Sequence, residues 1–160
     1  MRCSPALRLL ALALAFAVVT PAALGQNRPS WPPELKPLLQ ALERARYAVF
    51  LAPPPMAGAY GATDPKRRLI WLAPIAIELG IGRQALIHEA VHAAQACPKG
   101  KLTPIGWHLA VQSTVDHEIS GVLYRGYAHS KYELEREAFM MQGQPQAIDQ
   151  VVQALRQRCR

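Results

Sequence analysis

The chain has 160 residues, of which 51% are hydrophobic and 18% charged, a balance that suits one packed domain and excludes a disordered or fibrous chain. Lysine and arginine outnumber aspartate and glutamate by 18 to 11, for a formal charge of +7. The one tight basic cluster, Lys66-Arg67-Arg68, lacks interleaved aromatic residues, so it reads as a solvated turn with no nucleic-acid partner.

Residues 1–25 read as a secretory signal peptide. Arg2 and Arg8 form a positive start, Leu9 to Val19 an apolar run, and Ala23-Leu24-Gly25 a small-residue cleavage site after Pro21. The run is about half the ~20 residues needed to span a bilayer, so no stable membrane anchor is expected after cleavage. The expected location is an export compartment: periplasm, thylakoid lumen or extracellular space. Without Arg2 and Arg8 the formal charge of +7 becomes +5. Two cysteines remain, Cys97 and Cys159, and in an oxidising compartment they are expected to form a disulfide.

Residues 26–32 read as a flexible leader, and 33–160 as a single domain. Leu35, Leu38, Leu39 and Leu42 recur at helical spacing, which predicts a helix over 33–46 with Pro37 in its first turn. A short strand over 47–51 ends at Pro53-Pro54-Pro55. Strands over 58–62 and 68–72 flank Asp64-Pro65-Lys66 and suggest a hairpin. Beyond residue 75 the pattern is helical. Gly80-Ile81-Gly82 marks a break, a helix over 83–96 ends at Cys97-Pro98, and further helices are expected over 104–127, 132–141 and 145–158. In the last, Ile148, Val151, Val152 and Leu155 place Cys159 on the buried face. The expected class is α+β, mostly helical with a short β-sheet or hairpin before the helix over 83–96.

That helix carries His88-Glu89-Ala90-Val91-His92. Two histidines four apart project from one helix face, where both imidazoles can reach one zinc ion. Glu89 points about 100° away and can act as general base on a water beside the metal. Gln95 clusters with His88 and His92 on the helical wheel. A third ligand is sought on 132–141, where Leu134, Ala138 and Met141 form the apolar stripe and Glu137 falls on that same face. An inward carboxylate is costly unless paired or metal-bound, so Glu137 is the expected ligand and Glu133 the second choice.

His88-Glu89-x-x-His92 followed by Glu137-Ala138 on a later helix resembles the gluzincin branch of the zincin metallopeptidases. The resemblance implies a small zincin-like fold whose sheet edge lies above the metal helix, with one zinc ion per chain. It also implies hydrolysis of a peptide or protein substrate, and the chain is expected to be a monomer. It covers roughly 58–142. Gln95 and Pro98 stand where a metzincin has glycine and a third histidine, so that branch is excluded. The gap from His92 to Glu137 is longer than in compact members and requires an inserted helix. The oxyanion donor stays open among Tyr124, Tyr127, Tyr132 and His117, while His108 and His129 read as packed or surface residues. The alternatives to a hydrolase are a non-catalytic metal-binding or scaffold domain with the zincin fold, and a secreted helical partner-binding protein.

Overall fold

The structure, a computed structural model, describes residues 31–126 and 131–160. The expected signal peptide over 1–25, most of the leader over 26–32, and Tyr127 and His129 lie outside the described residues.

A single 3-10 turn, Pro33–Leu35, leads into α1, Lys36–Arg44, with Pro37 in the first turn where no N–H is required. The expected leucine stripe is the buried face: Leu35, Leu38 and Leu42 are fully enclosed. Strands β1 (Ala48–Leu51), β2 (Gly61–Asp64) and β3 (Leu69–Leu72) follow, and form one sheet in the order β1-β3-β2. β1 pairs parallel and β2 antiparallel to β3, so β2 is an edge strand. The hairpin is as expected, but its first strand begins three residues later than 58–62. Gly58, at φ +79°, turns the chain before the strand begins.

Alternation gives the sheet two unlike faces. Val49, Ile70 and Thr63 share one row toward the helices, and Leu51, Leu72 and Gly61 share the next. Phe50 stacks on Trp71 on the opposite face, with ring centroids 6.3 Å apart.

After the short α2 (Pro74–Glu78), Gly80 at φ +73° makes the break. α3, Gly82–Ala96, is buried on nearly every side from Leu86 to Ala96, beyond the single apolar stripe that periodicity suggests. Alanines at 85, 90, 93, 94 and 96 keep it narrow, so β2, α5 and α6 can all pack closely on it. Its terminal carbonyls are met by neighbours. The Tyr47 hydroxyl donates to Ala93 O at 3.3 Å, Arg158 Nε to Ala94 O at 2.9 Å, and Thr103 N–H to Gln95 O at 3.0 Å. Arg158 also sets a positive charge at the negative end of the helix.

The helix expected over 104–127 is shorter: α4 is Ser113–Gly126, and 101–112 is irregular. The main-chain N–H groups of residues 105–107 turn instead to the Glu137 carboxylate, and Gly106 takes φ +89° to allow it. α5 (Tyr132–Gln142) and α6 (Ala147–Arg158) match their expected positions. Cys97 and Cys159 form the expected disulfide, with Cα atoms 4.9 Å apart and a sequence separation of 62. In the chain-entropy account a loop of that length stabilises by about 4 kcal/mol. No described helix is long and apolar enough to cross a membrane.

Candidate metal centre

Three side chains on two helices converge in a cleft between α3, α5 and β2. His88 and His92 lie one turn apart on α3, and Glu135 reaches them from α5. His88 Nε2 and His92 Nε2 are 3.1 Å apart, and Glu135 Oε2 lies 3.3 Å from the first and 3.2 Å from the second. These residues are close enough to hold one metal ion.

The far sides of the imidazoles are occupied. Gln95 Nε2 donates to Leu134 O at 2.9 Å and to Glu137 Oε2 at 2.8 Å, which turns its Oε1 toward His92 Nδ1 at 2.8 Å. His92 therefore carries its proton on Nδ1 when neutral, and its Nε2 lone pair faces the other two donors. His88 Nδ1 faces Gln142 Oε1 at 3.1 Å in the same sense, while Phe139 packs edge-on against the His88 ring. Three lone pairs thus point at one spot. Such an arrangement repels unless a cation or protons neutralise it.

The charge balance of the cluster shows the same demand. Burial alone would lower His92, yet it is raised, because Glu135 bonds to it and attracts it, with Glu89 and Gln95 adding to the effect. Burial alone would raise Glu135, but hydrogen bonds from His88 and His92 and their positive charge hold it at about 2.

Glu89 sits beside this triangle under the edge strand. The Thr63 hydroxyl lies 2.8 Å from Glu89 Oε2 and 3.0 Å from the Glu89 main-chain oxygen, so it ties the residue to β2. Gly61 provides the space: a Cβ there would come within 2.7 Å of both Cγ and Oε1 of Glu89. A cleft of about 660 Å³ opens above, floored by His88, Glu89, His92 and Glu135 and walled by Tyr60 and Lys131.

Of the sequence-derived site residues, the structure brings together His88, Glu89, His92 and Gln95. Glu137 is a correction. It is inward-facing and 8% exposed, as its place on the stripe requires, but it is fully engaged elsewhere. Its carboxylate accepts from the N–H groups of Ile105 at 2.9 Å, Gly106 at 2.7 Å and Trp107 at 3.1 Å, besides Gln95. Glu133, the second choice, is exposed. The carboxylate at the histidines is Glu135, which helical spacing sets on the flank of the apolar stripe. That flank faces α3 because α5 packs on α3 there. Of the oxyanion candidates, Tyr132 bonds Ser120 Oγ at 3.2 Å away from the cleft, and Tyr124 and His117 are exposed. The polar side chains that do line the cleft, Tyr60, Gln84, Lys131 and Gln142, carry no sequence signal of their own.

The family described as a domain of unknown function (DUF8637) matches residues 76–159, a stretch that spans α3 and α5 and so all three clustered side chains. No curated protein and no solved structure matches the chain.

Proposed function

The chain belongs to the DUF8637 family, and we propose that it is an exported zinc-dependent metallopeptidase-like hydrolase built on a small zincin-like domain. The observation that carries this reading is the triangle of His88 Nε2, His92 Nε2 and Glu135 Oε2, with edges of 3.1–3.3 Å, beside Glu89. A tetrahedral zinc ion with bonds of about 2.0–2.1 Å spaces its donors about 3.3–3.4 Å apart. The two nitrogens and one carboxylate also suit zinc chemically, and two protein amides orient the imidazoles from behind.

Zinc, when bound, supplies Lewis acidity that lowers the pKa of a water and polarises a carbonyl. The chain's own residues do the rest. Glu89 takes the proton of the attacking water at its carboxylate and returns it to the leaving amine. Thr63 and Gly61 fix the position of that carboxylate, so no reorientation is needed at the moment of transfer. The ladder bond from Ala73 N–H to Tyr60 O sets the alternation of β2, which turns the N–H and C=O of Gly61 and Thr63 outward. An extended substrate can bond to them and lie across the cleft. Tyr60 lines the cleft beside these residues and can donate to the oxyanion.

The test begins with elemental analysis of the purified chain beside a His88→Ala/His92→Ala variant. About one zinc per wild-type chain, lost in the variant, is expected. Glu89→Gln should then keep zinc and lose turnover on a quenched fluorescent peptide library. A folded wild type that takes up no zinc retires the hydrolase. A zinc-loaded protein inert on every peptide leaves a non-catalytic metal-binding domain.

A further inference from the structure

A second groove, of about 800 Å³, continues from the metal cleft along the far end of β2, and the two share Ala62, Thr63 and Lys131 in their walls. Its lining combines four cations, Lys66, Arg67, Lys101 and Lys131, with apolar surface from Trp71 and Leu134. They come from three places in the chain: the β2–β3 turn, the segment after α3, and the start of α5. The fold therefore assembles a positive patch that the run Lys66-Arg67-Arg68 alone does not reveal.

Asp64 is the carboxylate in that lining, and it is already engaged. It accepts from the main-chain N–H groups of Lys66 and Arg67, each at 3.0 Å, and pairs with the Arg67 side chain at 3.9 Å. Among the described residues, Lys66, Lys101 and Lys131 form no ion pair. Three ammonium groups thus border one groove beside an edge strand whose outward main-chain groups are available for pairing. A chain lying there would meet hydrogen bonds along its backbone, an indole and a leucine between the charges, and cations at its side chains.

We propose that this groove is a subsite for the carboxylates of an extended peptide, so that the substrate is a polypeptide segment rich in aspartate and glutamate. The link to catalysis rests on the hydrolase reading, but the groove's preference for acidic chains does not. The mixture of apolar wall, strand edge and spaced cations distinguishes it from a simple polyanion site, which needs charge alone.

The experiment measures binding, by fluorescence anisotropy, of labelled decapeptides alternating alanine with glutamate, glutamine or lysine. The zinc-loaded full chain is compared with Lys66→Glu/Lys101→Glu and with Lys131→Glu. Both variants change exposed positions, and circular dichroism checks their fold. The glutamate peptide should bind the wild type about tenfold more tightly than the glutamine peptide, and the double variant should lose that preference. Equal binding of the two peptides overturns the proposal, as does a preference untouched by the substitutions. Tighter binding of inorganic polyphosphate than of the glutamate peptide, abolished by the same substitutions, also overturns it and assigns a polyanion site. A chain that selects the glutamate peptide without cleaving it keeps the groove and loses the hydrolase. One that cleaves glutamate and glutamine peptides equally keeps the hydrolase and loses the groove.

Discussion

Glu135 and Glu137 stand two residues apart on α5, and exchanging each for glutamine separates the proposed metal ligand from a structural carboxylate. Glu137→Gln replaces one of two oxygens that together accept four hydrogen bonds, of 2.7 to 3.1 Å. Whichever oxygen becomes an amide, two donors then face an NH2 group. Bonds to a charged acceptor are worth about 1.5–3 kcal/mol each. Residues 105–107 are half-exposed or exposed, so water can recover part of the loss. A net cost of about 3 kcal/mol follows, or a drop in melting temperature of roughly 10 °C for a domain of this size. Zinc affinity should fall no more than the ~10–100-fold of an outer-shell change, because Leu134 O still holds Gln95 in place. Glu135→Gln should do the opposite. It removes the only carboxylate in the triangle, and zinc affinity should fall by more than about 100-fold. Its effect on the melting of the metal-free chain should shrink as pH rises through the raised His92 value. Competition with a chromogenic chelator reads the affinity, and differential scanning fluorimetry the stability. If Glu137→Gln abolishes zinc binding while Glu135→Gln retains it, the ligand assignment is wrong and the site must rearrange on loading.

Gly61→Ala should keep zinc but lower turnover about tenfold or more, since the new methyl group displaces the Glu89 carboxylate from a contact of 2.7 Å; unchanged kcat would separate Glu89 from the chemistry. Cys97→Ser should cost about 4 kcal/mol under oxidising conditions and nothing beyond that of wild type in reductant, as thermal melts in each buffer would read. The metal-free chain should show a stability maximum between roughly pH 4.5 and 6.5 from the His92–Glu135 pair. His92 is raised, so its contribution is complete below 6.5 and is lost as pH climbs through the folded value. Glu135 is depressed to about 2, so its contribution holds above 4.5 and is lost on acidification toward 2. Zinc should reverse the alkaline limb, because binding it expels the protons; a metal-free melting temperature that rises from pH 6 to 9 would contradict this.

Much of the architecture was written in local pattern. The leucine spacing of α1, the alternation and turn residues of the hairpin, and the glycine break before α3 are short-range signals that any packed chain must obey. His88, Glu89 and His92 are legible for the same reason, since a helix converts a spacing of four into a shared face. The placement of Cys159 one turn beyond Leu155 likewise foretold the disulfide.

The third member of the triangle was a different kind of question. Periodicity identified Glu137 as inward-facing, and that is where it lies, but periodicity does not say what an inward carboxylate meets. The answer depended on a segment 30 residues earlier, whose glycine at 106 lets three amides turn toward it. Glu135 became the histidine partner through the packing of α5 on α3, and the lysines of the second groove come from three separate places in the chain. Sequence fixes which face of each element is apolar, because burial energy is summed along the element itself. Which polar groups end up together is decided by how elements cross, and that geometry is set only when the whole core packs.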